Sequence, residues 1–498
     1  MNDTLDIIPE PMLEFRYGQK MERPHDGLAL FGPYDVDMPA HPRTITYGII
    51  GTQDGINSFN NWSALFDKCI LPPPSANSRL WPPFPGFSSV TDATWSLQPA
   101  WSHEIDRQSL IEASRNLDPN RRAYEVVNHF MRAFATAKKR DENFSVFICV
   151  VPDELWKNCR PKSVVANGLG QKVSRFDRNL RKQGQTELFE RFEPEQYQLS
   201  VDFRRQLKAR AMEFGIPIQI VRESTLATGD DLAKRRLTPV TDRAWNLCTA
   251  IYYKGGGKPW RLSTARDGVC YIGIAFRKEE ANNWGRTACC AAQMFLDSGD
   301  GLVFLGEYGP WYSPTTGQFH LTREAARRLL TGVLETYQDL HGKKLAEVFL
   351  HSRSSISDEE FKGYAEACSA GVKLVGVRVR SERQGLRAYR LGDWPVLRGT
   401  FWKLNDKTGY LWASGFKPIL RTYDGWDVPA PLRIDIQHGD AEIRNVATDI
   451  LGLTKLNYNS CHVGDSQPVT VLFSDAVGEI LVSNPMVAKR NPSFKFYI

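Results

Sequence analysis

The alternation of apolar and polar positions predicts strands and helices in turn through the middle of the chain. Two apolar runs have the length of buried strands, at 144–151 and 216–222. Helical periodicity precedes and follows them, at 124–138, 203–214 and 242–253. Strands and helices in this order are typical of a parallel, Rossmann-like sheet covered by helices.

The second half of the chain begins with strands and continues with strand–helix pairs. The pattern predicts strands at 268–276, 288–295, 347–351, 372–380 and 400–416. It predicts helices at 322–340, with Thr322 as the cap, and at 357–368 and 440–451. This order indicates an RNase H-like architecture. We therefore expect an α/β protein with a Rossmann-like domain followed by an RNase H-like domain.

The first 105 residues have a different composition, rich in proline, glycine and tryptophan. Prolines cluster at 71–74 and 80–87, and the strand predicted at 44–51 lies among turns. We expect an N-terminal segment that docks on another domain, with aromatic residues that pack rather than carry function. The predicted boundaries are 1–105, 106–262 and 263–498.

One stretch, 203–257, carries a candidate anion pocket. Arg204 and Lys208 are four residues apart, so they share one face of the predicted helix. Gln219 is the polar residue of the next strand, and Lys254 directly precedes a run of three glycines. These groups suit a terminal phosphate, which offers three acceptor oxygens. By spacing alone, two solvated cations and an ordinary glycine loop are the more common interpretation, and no P-loop pattern is present.

Two further groups of arginines are candidates for contacts with a nucleic-acid backbone. Arg175, Arg178 and Arg181 recur every third residue and would line one side of a helix. Arg378 and Arg380 alternate on a strand and therefore share a face. A solvated surface is the alternative interpretation of both groups.

Composition limits the class of protein. A chain of 498 residues with 42% hydrophobic content predicts two or three packed domains. The net charge of +6 permits nucleic-acid binding without requiring it. The acidic N-terminus is not a signal peptide, and no apolar run has the length of a membrane span. Nine scattered cysteines without a C-x-x-C pair indicate a reducing cytoplasm, and the histidines lack zinc-site spacing.

Several stretches together resemble the MID and PIWI domains of short prokaryotic Argonautes. Besides the pocket stretch, the resemblance rests on Ala288–Phe295, Gly306–Tyr312, Leu453–Asn459 and Phe494–Ile498. It begins at Gly27 and covers nearly the whole chain. It implies a MID domain at 106–262 and a PIWI domain at 263–498, without the N and PAZ domains of longer members.

The resemblance implies that the pocket holds the 5′-phosphate of a small guide, which we expect to be an RNA by family analogy. Lys208, Gln219 and Lys254 match the last three positions of the family's Tyr/Lys/Gln/Lys set. Arg204 stands at the tyrosine position, and Ala250 stands where many eukaryotic members have another lysine. Family members often bring the C-terminal carboxylate, here that of Ile498, near this phosphate with a bridging Mg²⁺.

The same resemblance implies that the nuclease centre is degenerate. Slicing members hold two metals with carboxylates and a final His or Asp. Ala275 and Ser352 stand at the two aspartate positions, and the last position falls near Ser474. We therefore expect no nuclease activity. His351 is considered as a lone replacement ligand, but we expect a buried, hydrogen-bonded histidine.

The expected function is recognition without cleavage. A guide-loaded chain would pair with a complementary single-stranded target, expected to be plasmid or phage DNA, as part of a bacterial defence system. The implied partner is an APAZ-containing SIR2 or TIR protein, which forms a heterodimer with this chain, degrades NAD⁺ and assembles further on activation. The alternatives are an active guided endonuclease whose ligands are misaligned and a guide-free nucleic-acid-binding protein.

Overall fold

The computed structural model describes residues 4–140, 143–170, 172–174, 177, 180–181, 195–228, 237–266, 268–278, 288–295, 301–313, 315–341, 345–383, 385–484 and 491–498. Its helices are α1 (Pro24–Phe31), α2 (Gln53–Phe66), α3 (Phe87–Thr91), α4 (Arg107–Ser114), α5 (Pro119–Lys139), α6 (Asp153–Asn158), α7 (Glu195–Gln198), α8 (Phe203–Ala211), α9 (Val240–Lys254), α10 (Arg323–His341), α11 (Asp358–Ala367), α12 (Ile443–Leu453) and α13 (Val469–Val482).

Strands occur along the whole length of the chain. In the first half they are β1 (Thr4–Ile7), β2 (Leu13–Glu14), β3 (Lys20–Met21), β4 (Thr44–Ile45), β5 (Tyr47–Gly51), β6 (Thr94–Trp95), β7 (Trp101–Glu104), β8 (Val146–Val151) and β9 (Ile218–Arg222). In the second half they are β10 (Arg261–Leu262), β11 (Val269–Lys278), β12 (Ala288–Phe295), β13 (Gly301–Gly309), β14 (Tyr312–Ser313), β15 (Gln318–Phe319), β16 (Glu347–Ser352), β17 (Lys373–Ser381), β18 (Thr400–Lys403), β19 (Thr408–Leu411) and β20 (Leu432–His438).

The first large element is a parallel sheet with the strand order β7-β5-β8-β9. Every residue of β8 is buried, as expected for a central strand covered on both faces. Helices α5 and α8 pack together beside it, with Phe130, Phe134 and Leu207 in a common core. The Rossmann-like arrangement predicted from the alternation is confirmed. The domain boundary expected at residue 105 divides this sheet, because β5 and β7 precede residue 105 in the sequence and β8 and β9 follow it.

The second large sheet is mixed, with the order β1-β18-β19-β20-β17-β16-β11-β12-β13. Strands β11, β16 and β17 are parallel at its centre, and antiparallel strands flank them on both sides. This arrangement confirms the RNase H-like part of the predicted α/β class. The run predicted as one strand at 400–416 forms the hairpin β18–β19 instead, because the polar residues between Leu404 and Thr408 make a turn.

The N-terminal segment pairs with later parts of the chain at two places. Strand β1 pairs with β18 at the edge of the second large sheet, and β2 pairs with β10 in a separate three-stranded sheet. Lys455, which follows α12, is buried and donates hydrogen bonds to Glu10 Oε1 at 2.8 Å and to the carbonyl oxygens of Pro11 and Glu22. Burial lowers the pKa of Lys455 to about 8, against the opposing effect of Glu10. The segment is thus fixed to the turn after α12 by a buried ionic contact.

The aromatic residues of this segment are mostly part of the core, as expected. Trp95 stacks on Tyr47 at a ring-centroid distance of 4.9 Å, and Phe84 contacts Trp245 edge-on at 5.2 Å. Buried aromatic side chains contribute large apolar areas, which accounts for their number here. Among the residues that the structure describes, no helix is long and apolar enough to cross a membrane.

Candidate functional site

Helix α8 supplies two of the candidate pocket residues. It begins after Asp202, whose side chain accepts hydrogen bonds from the backbone N–H groups of Arg204 at 3.0 Å and Arg205 at 3.3 Å. Such a cap satisfies donors that the first helical turn leaves free. Phe203 and Leu207 anchor the helix in the core. Arg204 remains exposed, whereas Lys208 is only 4% exposed.

Helix α9 supplies Lys254 as its last residue, directly before the glycine run. Gly256 has φ +104°, a conformation that side-chain-bearing residues rarely adopt. A Cβ at Gly257 would lie 2.3 Å from the Tyr252 ring, so this position has no room for a side chain. The glycines therefore end the helix sharply and leave Lys254 buried, at 2% exposure.

Strand β9 and the end of the sequence complete the pocket. Lys254 Nζ donates a hydrogen bond to Gln219 Oε1 at 2.6 Å. Lys208 Nζ donates one to the backbone carbonyl of Tyr497 at 3.3 Å, which places the neighbouring residue Ile498 close by. We call Arg204, Lys208, Gln219 and Lys254 the cation pocket. Residues from α8, β9 and α9, separated by up to 50 positions, therefore converge at one place.

The electrostatics of the cation pocket are unfavourable for the protein alone. Burial, followed by the charge of Arg204, lowers the pKa of Lys254 to about 7. Burial, Arg204 and Lys254 together lower the pKa of Lys208 well below its ordinary value. In the part of the chain that the structure describes, neither lysine forms an ion pair with a carboxylate. Buried ammonium groups without counter-ions favour binding of an anion, which would restore their charge.

The residues expected at the degenerate nuclease centre lie near the ends of the central parallel strands. Ala275 is on β11 and Ser352 ends β16, where it is paired with Ile274. Both are buried, at 6% and 3% exposure. Neither side chain has a carboxylate to offer a metal. No group of three or more His, Cys, Asp or Glu suited to a metal occurs among the residues described.

His351 is hydrogen-bonded and buried, as expected for a residue of the core. Its Nδ1 lies 2.9 Å from Thr470 Oγ1, and burial lowers its pKa to about 3, so the ring is neutral. The first turn of α13 also abuts β11, because a Cβ on Gly273 would overlap the Thr470 carbonyl. Ser352, the next residue of β16, points to the opposite face of the sheet. We call Ala275, His351 and Thr470 the strand-end cluster.

Sequence reasoning placed the last ligand position at Ser474, one helical turn beyond Thr470. Ser474 lies within α13, and its side chain is outside the described residues. The residue of α13 that contacts His351 is Thr470, which sequence reasoning missed. Pro468, which directly precedes α13, was a sequence signal for the start of this helix and therefore for Thr470 in its first turn.

The candidate backbone-contacting arginines have different environments. Arg175 and Arg178 lie outside the described residues. Arg181 donates a hydrogen bond to the Tyr197 hydroxyl at 2.7 Å, so it is part of a local network. Arg378 Nε donates to the Arg353 carbonyl at 3.1 Å, and Arg380 Nε is buried without a hydrogen-bond partner.

Comparison with solved structures identifies the fold. The chain is similar to Clostridium butyricum Argonaute bound to a guide DNA and a 19-mer target DNA, with TM-score 0.63, 13% identity and coverage of 100% of this chain and 55% of that chain. It is also similar to Aa-Ago with externally bound siRNA, with TM-score 0.59, 13% identity and coverage of 99% and 56%. The fold is Argonaute-like.

A third structure, A. aeolicus Argonaute, gives TM-score 0.59 at 12% identity, over 100% of this chain and 56% of that one. The chain thus spans about half the length of the structures it matches, in agreement with the MID–PIWI architecture of its two sheets. No family model and no curated protein matches the sequence.

Proposed function

We propose that this chain binds a small guide nucleic acid by its 5′-phosphate and presents the guide for pairing with a complementary single-stranded target. The observation that carries the proposal is the cation pocket, in which two buried lysines have no carboxylate partner among the residues that the structure describes. A terminal phosphate brings up to two negative charges and three acceptor oxygens. Lys208 and Lys254 would bind these oxygens, and Gln219 would orient Lys254.

Arg204 has a separate role in this proposal. It is the exposed member of the cation pocket and lowers the pKa of both buried lysines through its charge. Its guanidinium would bind a phosphate oxygen or stack on the first base, as planar arginine groups do. The guide supplies sequence specificity by base pairing, while the protein holds the backbone.

A bridging Mg²⁺ is part of the proposal and depends on a free carboxylate at Ile498. Ile498 is buried next to Tyr497, whose carbonyl accepts the hydrogen bond from Lys208. Carboxylate and phosphate oxygens are the ligands that Mg²⁺ prefers, and the ion would offset the repulsion between two anions. Titration of a 5′-phosphorylated guide with Mg²⁺ and with EDTA tests this, because equal affinity in both would exclude the bridge.

We propose further that the chain recognises its target without cutting it. The support is the identity of Ala275 and Ser352, two neutral residues at the positions expected for metal-binding aspartates. Guide-loaded protein should bind a complementary strand and leave it intact with Mg²⁺ or Mn²⁺. A chelator-sensitive product cut at one fixed distance from the guide's 5′ end would support the alternative, an active guided endonuclease.

Recognition without cleavage requires a separate output. From the sequence resemblance we propose a cytoplasmic defence role, with an APAZ-containing SIR2 or TIR protein that degrades NAD⁺ when guide and target are both bound. Such coupling requires the paired state to favour the active form of the complex. NAD⁺ loss should occur with the reconstituted pair, guide and matched target, and unchanged NAD⁺ would contradict this output.

The direct test of the proposed function compares guides that differ only at the 5′ end. Wild-type chain should bind a 5′-phosphorylated guide at least about tenfold more tightly than the same guide with a 5′-hydroxyl. Electrophoretic or anisotropy titrations at fixed salt measure this ratio. Equal affinities would contradict the assignment of the cation pocket.

A further inference from the structure

Four strands of the second sheet, β17 to β20, have one buried face and one partly exposed face. The buried face carries apolar residues of the core: Val377, Val379, Phe401, Leu411, Leu432 and Ile434. Neighbouring residues point to opposite sides of a strand, so the residues between these lie on the other face. That face includes Arg378 and Arg380 on β17, Arg433 on β20, Tyr410 on β19 and Trp402 on β18.

The strand register places four of these side chains in one row across the sheet. Arg380 is opposite Arg433, Arg433 is opposite Tyr410, and Tyr410 is opposite Trp402. Directly opposite residues share a face and interact. Trp402 and Tyr410 confirm this by stacking, with a centroid distance of 5.6 Å and an interplanar angle of 27°. We call Arg378, Arg380, Arg433, Tyr410 and Trp402 the open sheet face.

The charges on this face are not balanced by the protein. Arg380 and Arg433 are like charges directly opposite each other, an arrangement that destabilises a sheet. Asp435 accepts a hydrogen bond from Arg433 Nε at 3.0 Å, so one arginine of the three has a direct carboxylate partner. Arg380 Nε is buried and has no hydrogen-bond partner. Glu382 also acts on Arg433 through its charge. Three arginines against these two carboxylates leave an excess of positive charge.

We infer that the open sheet face binds single-stranded nucleic acid, with bases stacked on Trp402 and Tyr410 and phosphates held by Arg380 and Arg433. Sheet faces with paired aromatic residues bind two or three unpaired bases in this way, and stacking of this kind tolerates any sequence. Adjacent strands lie about 4.8 Å apart, so the row extends about 14 Å from Arg380 to Trp402. That length suits a few nucleotides.

Other occupants fit the face less well. Bases in a duplex have both faces covered by their neighbours, so they cannot stack on Trp402. A protein partner would need a larger apolar area, or a carboxylate opposite each unpaired arginine, to compensate for burying the like-charged row. The inference rests on the proposed function, because it assigns a second contact for the unpaired part of a guide or target.

The test uses the full-length chain and an oligonucleotide that avoids the cation pocket. The probes are 12-nucleotide oligo-dT and oligo-U with 5′-hydroxyl ends, titrated by fluorescence anisotropy. The double variant Trp402→Ala/Tyr410→Ala should bind both about tenfold more weakly, whereas Trp402→Phe/Tyr410→Phe should retain most of the affinity. Trp426→Ala is the matched control, since Trp426 is a fully exposed tryptophan outside these strands, and it should bind as wild type.

The arginines are tested by salt dependence. Arg380→Gln should reduce the slope of log affinity against log salt by about 0.7, the value for one phosphate contact with a single strand. Arg327→Gln, at an exposed position on α10, is the control and should leave the slope unchanged. This measurement remains informative if the double alanine variant fails to fold.

Each remaining outcome decides the inference. Unchanged oligonucleotide binding in the double alanine variant overturns it, as does an equal loss with Trp426→Ala. Loss of an APAZ-type partner with normal oligonucleotide binding would make the face a protein interface and also overturn it. Failure of the proposed function appears elsewhere, as equal binding of 5′-phosphorylated and 5′-hydroxyl guides, and the hydroxyl-probe titration still decides the face.

Discussion

The cation pocket and the strand-end cluster are both buried polar sites, but they treat charge in opposite ways. In the cation pocket, burial depresses the pKa values of two lysines that have no carboxylate partner among the described residues. In the strand-end cluster, His351 is neutral: its Nδ1 is hydrogen-bonded to Thr470, and its Nε2 is buried without a hydrogen-bond partner among the described residues. The first site therefore concentrates positive charge that an anion would balance, whereas the second holds a neutral side chain with one unsatisfied nitrogen.

The comparison shows which site has kept a requirement for a ligand. Burying an ammonium group without a partner costs free energy, and a protein retains such an arrangement where a ligand repays that cost on binding. Replacing charged residues by alanine and serine removes the same cost. The structure therefore favours anion binding at the cation pocket rather than at the strand-end cluster.

The largest expected effect comes from removing the charges of the cation pocket. Lys208→Ala or Lys254→Ala should weaken binding of a 5′-phosphorylated guide about 10- to 100-fold, because each removes a charge-assisted hydrogen bond. The loss should nearly vanish for a 5′-hydroxyl guide. Lys362→Ala is the control, since Lys362 is exposed and paired with Glu359. If both guides lost affinity equally, the two lysines would not be recognising the 5′-phosphate, and the cation pocket would not differ from the strand-end cluster in its need for a ligand.

The opposite change introduces a charge into the strand-end cluster. Ala275→Asp should lower the free energy of unfolding by about 2 kcal/mol or more, because it would bury a carboxylate at a position that is 6% exposed. Urea unfolding measures the change, and Ala370→Asp at an exposed position should have little effect. An equal effect of the two substitutions would contradict the burial of this site.

The pH dependence of guide binding sharpens the contrast further. Lys254 has a pKa of about 7 in the free chain, so above this pH it must take up a proton when it binds phosphate. Affinity for a 5′-phosphorylated guide should therefore fall as pH rises, by about tenfold or more between pH 7 and pH 9. The phosphate keeps its charge over this range, since its second pKa is about 6. Lys254→Met should reduce the pH dependence without abolishing it, because the pKa of Lys208 is also lowered and Lys208 keeps its share. A flat wild-type profile would contradict the assignment.

The smallest effect is expected from the neutral hydrogen bond of the strand-end cluster. Thr470→Val should lower the free energy of unfolding by about 1 kcal/mol, because it leaves the buried His351 Nδ1 without a partner. Guide affinity should not change. Thr448→Val, on the more exposed α12, is the control. A loss of guide binding with unchanged stability would mean that this cluster contacts nucleic acid.

Local pattern was sufficient to predict most elements and to nominate the residues of the pocket. Apolar runs predicted the strands β8 and β9, and helical periodicity predicted α8 and α9. The four-residue spacing of Arg204 and Lys208 placed both on one face of α8. Their meeting with Gln219 and Lys254 was a hypothesis that the family resemblance strengthened, since sequence spacing does not measure a distance between separate elements.

Tertiary structure alone decided how each polar group is satisfied. The hydrogen bonds from Lys208 to Tyr497 and from His351 to Thr470 join residues 289 and 119 positions apart. The alternation of Leu432, Arg433 and Ile434 was visible in the sequence, but only the strand register placed Arg433 between Arg380 and Tyr410. The sequence of a strand determines which face of the sheet each side chain lies on. The side chains next to it on neighbouring strands depend on how strands far apart in the sequence pair with one another.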